Sequence, residues 1–235
     1  MEMQCSSYNK YVIVLACGRG KRMGKDIPKQ FLLLNNEPIV ITTIKNIHKI
    51  NKDYKIILVL NKEDVSYWQQ LTQKYSFSIP LNIVFGGDER YHSVKNAINS
   101  INDCDNSLVA IHDGVRPFIN KQMMNDCFSV AEEKGNAVCG IICSDSVRKI
   151  DEDKNNSMLD RNKVILIQTP QCFRLSLIKQ AYNQPFNPVF TDDASYVEDL
   201  NERINIIKGR KENIKITLPI DLEIAKVIKE QEDDK

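Results

Sequence analysis

The feature that most constrains the fold is a series of short, β-branched apolar runs: Tyr11–Ala16 (YVIVLA), Lys55–Leu60 (KIILVL), Asn82–Phe85, Leu108–His112 (LVAIH) and Ala137–Ile142. Several are almost wholly apolar, as strands covered on both faces must be. Between them lie helical patterns at Pro38–Ile50, Glu63–Tyr75, Ser93–Ser100 and Lys121–Lys134. The last follows Asn120, a good N-cap, and stops at Gly135, a good residue just past a helix end. Alternation of strand and helix on this scale predicts an α/β sandwich built on a mostly parallel sheet.

The later third changes character. Ser146–Ile150 and Val164–Ile167 read as two strands joined by the polar segment DEDKNNSMLDRNK, an arm over about residues 146–167. A lone two-stranded arm needs a surface to pack on, and a second subunit would supply one. Helices follow near Leu175–Asn183 and Asp192–Asp199, strands near Asn205–Lys208 and Ile214–Thr217, and a final helix from Pro219 to about Lys229. No linker divides the chain, so a single domain carrying an arm is expected.

Charge narrows the possible partners. Lys and Arg number 32 against 31 Asp and Glu, a net +1, which argues against a nucleic-acid binder with a broad basic face. The opening MEMQCSSYNK lacks the apolar run of a secretory leader, and no stretch approaches a membrane span. Seven cysteines form no regular framework, so a reduced, cytoplasmic protein is expected. Cys139 and Cys143 with His112 make no zinc spacing and read as buried thiols.

Positive charge is instead concentrated in Cys17-Gly18-Arg19-Gly20-Lys21-Arg22-Met23-Gly24, directly after the first run, with Lys25 and Lys29 close behind. Glycines there let backbone N–H groups approach a phosphate. The spacing G-x-G-x-x-x-G is one residue longer than the dinucleotide fingerprint, and no Ser or Thr follows Gly20-Lys21 as a Walker loop requires. A loop with this many cations, at the carboxyl end of strand one, is where an α/β sheet binds a nucleotide; on this segment alone a solvated basic turn reads the same way. More clusters fall at the same sheet edge. They are Gly86-Gly87-Asp88-Glu89-Arg90 with Ser93, Asp113-Gly114-Val115-Arg116, Gln168-Thr169-Pro170-Gln171, and Thr191-Asp192-Asp193-Ala194-Ser195. Asp113 with Arg116 fits a structural ion pair as well as a functional one, and Thr191-Asp192 fits simple helix capping. Lys215, inside the apolar run Ile214–Thr217, requires an anion.

Taken in order, LACGRGKRMGKDIPKQF, GGDERYHSV, HDGVRPF, Asp160-Arg161, QTPQCF, TDDASYVE and NIKIT resemble the motifs of the 2-C-methyl-D-erythritol 4-phosphate cytidylyltransferase family, from about residue 11 to about 228. The resemblance implies a Rossmann-like nucleotidyltransferase fold and a homodimer interlocked through the β-arm. It also implies transfer of CMP from CTP to a methylerythritol phosphate in non-mevalonate isoprenoid synthesis. Ala16, Cys17, Gly18 and Gly20 would line the nucleotide, and Arg22 and Lys29 would grip the triphosphate. Gly87, Asp88 and Ser93 would recognise the cytosine, Asp113 and Gly114 would lie near the ribose, and Lys215 would reach the α-phosphate. Arg116, Ser146, Arg161, Thr169 and Thr191 would meet the polyol phosphate, some of them across the dimer. Departures from the family pattern are Cys17 for Ala or Gly, Gly114-Val115 for Ala-Ala, Ser146 for Thr, and Arg148 for Lys.

The implied nucleophile is a phosphate monoester, a dianion near neutral pH, so no general base is demanded and His48, His92 and His112 read as structural. Magnesium is expected to ride on the triphosphate, and no protein carboxylate cage for it is evident. A ribitol-5-phosphate cytidylyltransferase is the nearest alternative; Asp160-Arg161 and the TDDAS segment with Glu198 favour methylerythritol phosphate. A nicotinamide oxidoreductase is disfavoured because Leu60-Asn61-Lys62 offers no ribose-binding acid after the second strand. A non-catalytic nucleotide sensor fits poorly with cations at Arg22, Lys29 and Lys215.

Overall fold

A computed structural model describes residues 8–18, 27–103 and 106–233. Strand β1 (Asn9–Leu15) pairs in parallel with β4 (Lys55–Leu60) on one side and with β6 (Ser107–Asp113) on the other. Beyond β4 lies β5 (Asn82–Phe85), also parallel. Beyond β6 comes β10 (Ile165–Arg174), which runs against its neighbours, then β7 (Asn136–Ile142) and β11 (Ile206–Lys208). The sheet order is therefore β11-β7-β10-β6-β1-β4-β5. Strands leave β1 in both directions, and the crevice at such a reversal, outside the carboxyl ends of the strands, is where this architecture binds ligands.

Residue parity explains the two helical layers. Val12, Val14, Ile56, Leu58, Leu108 and Ala110 face one way, into α1 (Ile39–Ile50), α2 (Val65–Lys74) and α4 (Lys121–Lys134). Ile13, Ile57, Val59, Val109 and Ile111 face the other way, into α3 (Arg90–Asn99), α5 (Leu175–Ala181) and α6 (Asp193–Glu198). Both faces are covered, which is why these strands are apolar at odd and even positions alike. Asn120 accepts the Met123 N–H at the start of α4, and Gly135 ends it with φ 91°, as expected from their positions. A third cluster at the carboxyl edge joins a small hairpin, β2 (Leu33–Leu34) with β3 (Glu37–Pro38), to α7 (Pro219–Asp233) through Leu34, Val115, Ile216 and Leu222. Among the described residues, no helix is long and apolar enough to cross a membrane.

The arm differs from its sequence reading. Ser146–Ile150 and Val164–Ile167 do not pair with each other. β8 (Val147–Ile150) closes on β9 (Asn156–Leu159), which lies within the segment expected to be a linker. Lys154 adopts φ 64° and the Asn155 N–H bonds the Asp151 carboxylate, so the chain turns within a few residues. Ile165–Ile167 instead pair with Gly140–Ile142 and open the long strand β10. The segment Ile214–Thr217 is likewise not a ladder strand; it is held by the Ile216 N–H on the Val115 carbonyl.

Candidate active site

Two cavities open side by side along the carboxyl edge of the sheet, of about 770 Å³ and about 660 Å³. Arg90, Asp113 and Lys215 line both. The first cavity is walled by the turns after β1, β4 and β5; the second by the entry of β10, the segment leading into α6, and residues before β11.

The first cavity is mostly a backbone construction. Ala16, Cys17 and Gly18 line it after β1, opposite Gly87, Asp88 and Ser93, and Lys29 stands at its rim in a short 3₁₀ turn. Buried Gln30 donates Nε2–H to the Ala16 carbonyl at 2.7 Å, fixing the loop as it leaves the strand. Ser93, buried one turn into α3, takes the Gly87 N–H at 3.1 Å and sits 3.2 Å from the Cys17 sulfur. Cys17 thus points at Ser93 and packs beside Gly86, where an added Cβ would come within 2.9 Å of both side chains. Burial raises the Cys17 thiol above its usual pKa, so it stands as a neutral donor. At Gly87 an added Cβ would lie 2.4 Å from the His92 Cβ, so only glycine fits. Gly20 and Arg22 lie outside the described residues.

At the shared wall, Asp113 Oδ2 meets Lys215 Nζ and Arg116 Nε, each at 3.1 Å. Burial alone would raise the Asp113 carboxyl, yet Lys215, Arg116 and Arg90 together hold it far below the usual carboxylate range. The anion that Lys215 requires is therefore present within the fold. Lys215 is placed by its neighbours: Ile216 is fully buried, and Asp221 caps α7 by accepting from the backbone of Thr217 and Leu218 at 2.8 Å.

The second cavity brings together Arg116, Thr169 and Thr191. The ladder register shifts between Ile167 and Gln171, where the Thr169–Pro170 bond is cis, and this interruption turns Gln168 and Thr169 out of the regular pattern. Thr169 Oγ1 accepts the Asp113 N–H at 3.0 Å and lies 3.1 Å from His112 Nδ1, while His112 Nε2 reaches the Arg116 carbonyl at 2.9 Å. A carbonyl only accepts, so the ring proton is on Nε2 and Thr169 donates to Nδ1. Burial pushes His112 down to about 4, consistent with that neutral ring. Asn213 ties the ensemble together, donating to the Thr169 carbonyl at 2.8 Å and accepting from Arg116 at 2.8 Å on its own carbonyl.

Three expected site residues stand outside both cavities. Gly114 lies beneath them, its N–H on the Leu15 carbonyl and its own carbonyl bonded by Thr43. Ser146 and Arg161 belong to the arm; both are exposed, and Arg161 donates to the Ser144 carbonyl at 3.0 Å. Conversely, Arg90, Gln30 and Gln171 fall within the sequence motifs, yet the sequence assigns them no role. Gln171 bonds Asp192 and the Ala194 N–H, both at 2.9 Å. Their sequence signal is membership of a motif alone: Arg90 in GGDER, Gln30 in the first loop's closing IPKQF, and Gln171 in QTPQCF. Among the described residues no cluster of metal-ligating side chains occurs.

A family model described as 2-C-methyl-D-erythritol 4-phosphate cytidylyltransferase matches residues 11–231. A protein of that name from Phocaeicola vulgatus is 39% identical over 220 residues, covering 94% of this chain and 99% of the relative. Another from Azobacteroides pseudotrichonymphae is 42% identical over 222 residues, covering 93% and 98%. Among solved structures, the Francisella tularensis 2-C-methyl-D-erythritol 4-phosphate cytidylyltransferase superposes with TM-score 0.78 at 29% identity, covering 94% of this chain and 99% of that one. The Anaerococcus prevotii 4-diphosphocytidyl-2C-methyl-D-erythritol synthase gives 0.80 at 25% identity, covering 95% and 99%.

Proposed function

The chain belongs to the 2-C-methyl-D-erythritol 4-phosphate cytidylyltransferase family, and from that membership we propose how its two cavities divide the reaction. The reaction is CTP-dependent cytidylyl transfer to 2-C-methyl-D-erythritol 4-phosphate, a step of isoprenoid synthesis. The first cavity takes CTP and the second takes the sugar phosphate. One observation carries this assignment: Asp113 and Lys215 line both cavities, so the α-phosphorus and the attacking oxygen meet beside the Lys215 ammonium.

The acceptor oxygen attacks the α-phosphorus, a new P–O bond forms, and the bond to pyrophosphate breaks. A phosphate monoester is largely a dianion at neutral pH, so it needs no base to become a nucleophile. The difficulty is bringing two polyanions together, which positioning and fixed positive charge overcome. Lys215 reaches the α-phosphate, while Lys29 at the rim and Arg22 hold the triphosphate. Asp113 Oδ2 bridges Lys215 and Arg116 and so holds both cations at the shared wall. Arg116, Thr169 and Thr191 receive the acceptor.

Magnesium fits this site as a passenger on CTP. Asp113, the carboxylate at the junction, is already engaged by two cations, and the hard, hydrated ion is suited to phosphate oxygens and water. When bound it neutralises charge on the triphosphate. Ser146 and Arg161, too far along the arm to line the cavities of their own chain, reach the acceptor of a second subunit. The exposed apolar side chains Ile142 (63%), Ile150 (69%) and Met158 (77%) support such an interlocked homodimer. The protein is proposed to work in the cytoplasm without nucleic acid or membrane.

The decisive assay mixes the purified chain, CTP and magnesium with either 2-C-methyl-D-erythritol 4-phosphate or ribitol 5-phosphate and follows pyrophosphate. Release with the first and not the second is expected. The reverse preference would overturn the acceptor assignment.

A further inference from the structure

We propose that Arg90 and Asp193 form a positioning pair that sets the acceptor wall against the nucleotide loop; this rests on the division of the two cavities given above. Arg90 opens α3 directly after the loop Gly86–Glu89, and it lines both cavities. Its two terminal nitrogens grip Asp193 at 2.7 and 2.6 Å, one on each carboxylate oxygen. The Asp193 side chain is 0% exposed and takes a further hydrogen bond from the Tyr182 hydroxyl at 2.6 Å.

The consequence falls on one cavity. Asp193 begins α6, and the residues around it, Thr191, Asp192, Ser195 and Glu198, wall the acceptor side. A helix of six residues does not hold itself in place, so its position depends on tertiary anchors. Gln171 anchors it to β10, and Arg90 anchors it to the nucleotide side. The nucleotide loop has its own supports: Gly86 N–H on the Leu60 carbonyl at 2.8 Å and Gly87 N–H on Ser93. Loosening the pair therefore frees the acceptor wall and leaves the CTP cavity standing. The fork geometry matters as much as the charge, because a lysine cannot bond both carboxylate oxygens in the same plane.

The test uses the full chain with Arg90→Lys, Asp193→Asn and the double variant. Pyrophosphate release is measured while each substrate is varied, CTP affinity is measured separately by calorimetry, and melting is followed by circular dichroism. For Arg90→Lys and Asp193→Asn, the KM for 2-C-methyl-D-erythritol 4-phosphate should rise at least about tenfold while the CTP Kd stays within about twofold. The double variant should be little worse than either single one, since both break the same contact. Equal losses for the two substrates, a loss confined to CTP, or a lower melting point with unchanged KM would each overturn the pair's positioning role. Failure of Arg90→Lys to fold would likewise assign the pair to stability alone. An unmodified chain that releases no pyrophosphate would instead overturn the reaction assigned to the cavities, and this inference with it.

Discussion

The two cavities share a wall but are built by different means. The first cavity, proposed for CTP, is shaped by backbone: tight turns after parallel strands, with glycines at Gly86 and Gly87 where a Cβ would collide with neighbours. The second cavity, proposed for the acceptor, is shaped by side chains hydrogen-bonded across long stretches of sequence, His112 to Thr169, Asn213 to Arg116, Gln171 to Asp192. A surface made of backbone tolerates changes of side chain wherever the turn survives. A surface made of side chains moves with each partner. If the second cavity takes the acceptor as proposed, the contrast makes acceptor specificity the more readily altered half of this enzyme.

The largest effect should come where the halves meet. Lys215→Ala is expected to lower kcat about a hundredfold, about 3 kcal/mol, by analogy with removing one fixed donor from an oxyanion site. Near-normal turnover would break the idea that the shared wall is the reacting centre. Next comes the arm: Arg161→Ala should raise the acceptor KM about thirtyfold, about 2 kcal/mol for a charged hydrogen bond, with CTP affinity intact. Titrations of both substrates decide this, and a weakened CTP response alone would remove Arg161 from the acceptor side. Gly87→Ala should do the opposite, weakening CTP about tenfold through the forced shift against His92 while sparing the acceptor.

The smallest effect is one of stability, and it belongs to the acceptor half. His112 stays neutral in the fold down to about pH 4, whereas an unfolded histidine titrates at 6.5. Between those values the unfolded chain binds the extra proton, so stability is complete above 6.5 and falls as pH drops toward 4. From about pH 7 to about pH 5.5 the loss attributable to His112 is about 1 kcal/mol. Urea midpoints should fall more over that interval for the wild type than for His112→Gln. Parallel slopes would remove His112 as the cause. Asp113, held well below the usual carboxylate range, remains ionised throughout the same interval and adds no limb to the activity profile.

The same contrast explains what could be read from sequence. Lys55–Leu60 and Lys121–Lys134 occur with the bounds their patterns suggest, because a strand covered on two faces, or a helix with Asn120 and Gly135 at its ends, leaves a local signature; Asn82–Phe85 also keeps its bounds, as a largely exposed edge strand. Ala16, Cys17, Gly18, Gly87, Asp88 and Ser93 do line the first cavity, because a turn after a strand announces itself through glycine. β10 was legible only at its start. Gln168 and Gln171 look like loop residues, and their burial makes sense only with Arg210 and Asp192 in view. Lys215 carried a partial signal: its need for an anion was visible, but Asp113 as the answer was not. Arg90 and Asp193, 103 positions apart, each fall within a sequence motif, but nothing local pairs them.

The direction of β10 has a consequence for assembly during synthesis. β6, with all seven residues buried, can meet β1 as soon as it is made, but its other edge stays open until β10 arrives from the far side of the arm. Until then the emerging chain presents an uncovered, strongly apolar strand edge, the kind of template on which chains misassociate. The hairpin is therefore a delay as well as a projection: together with α4 and β7 it sets how long the nascent sheet waits for the strand that seals it.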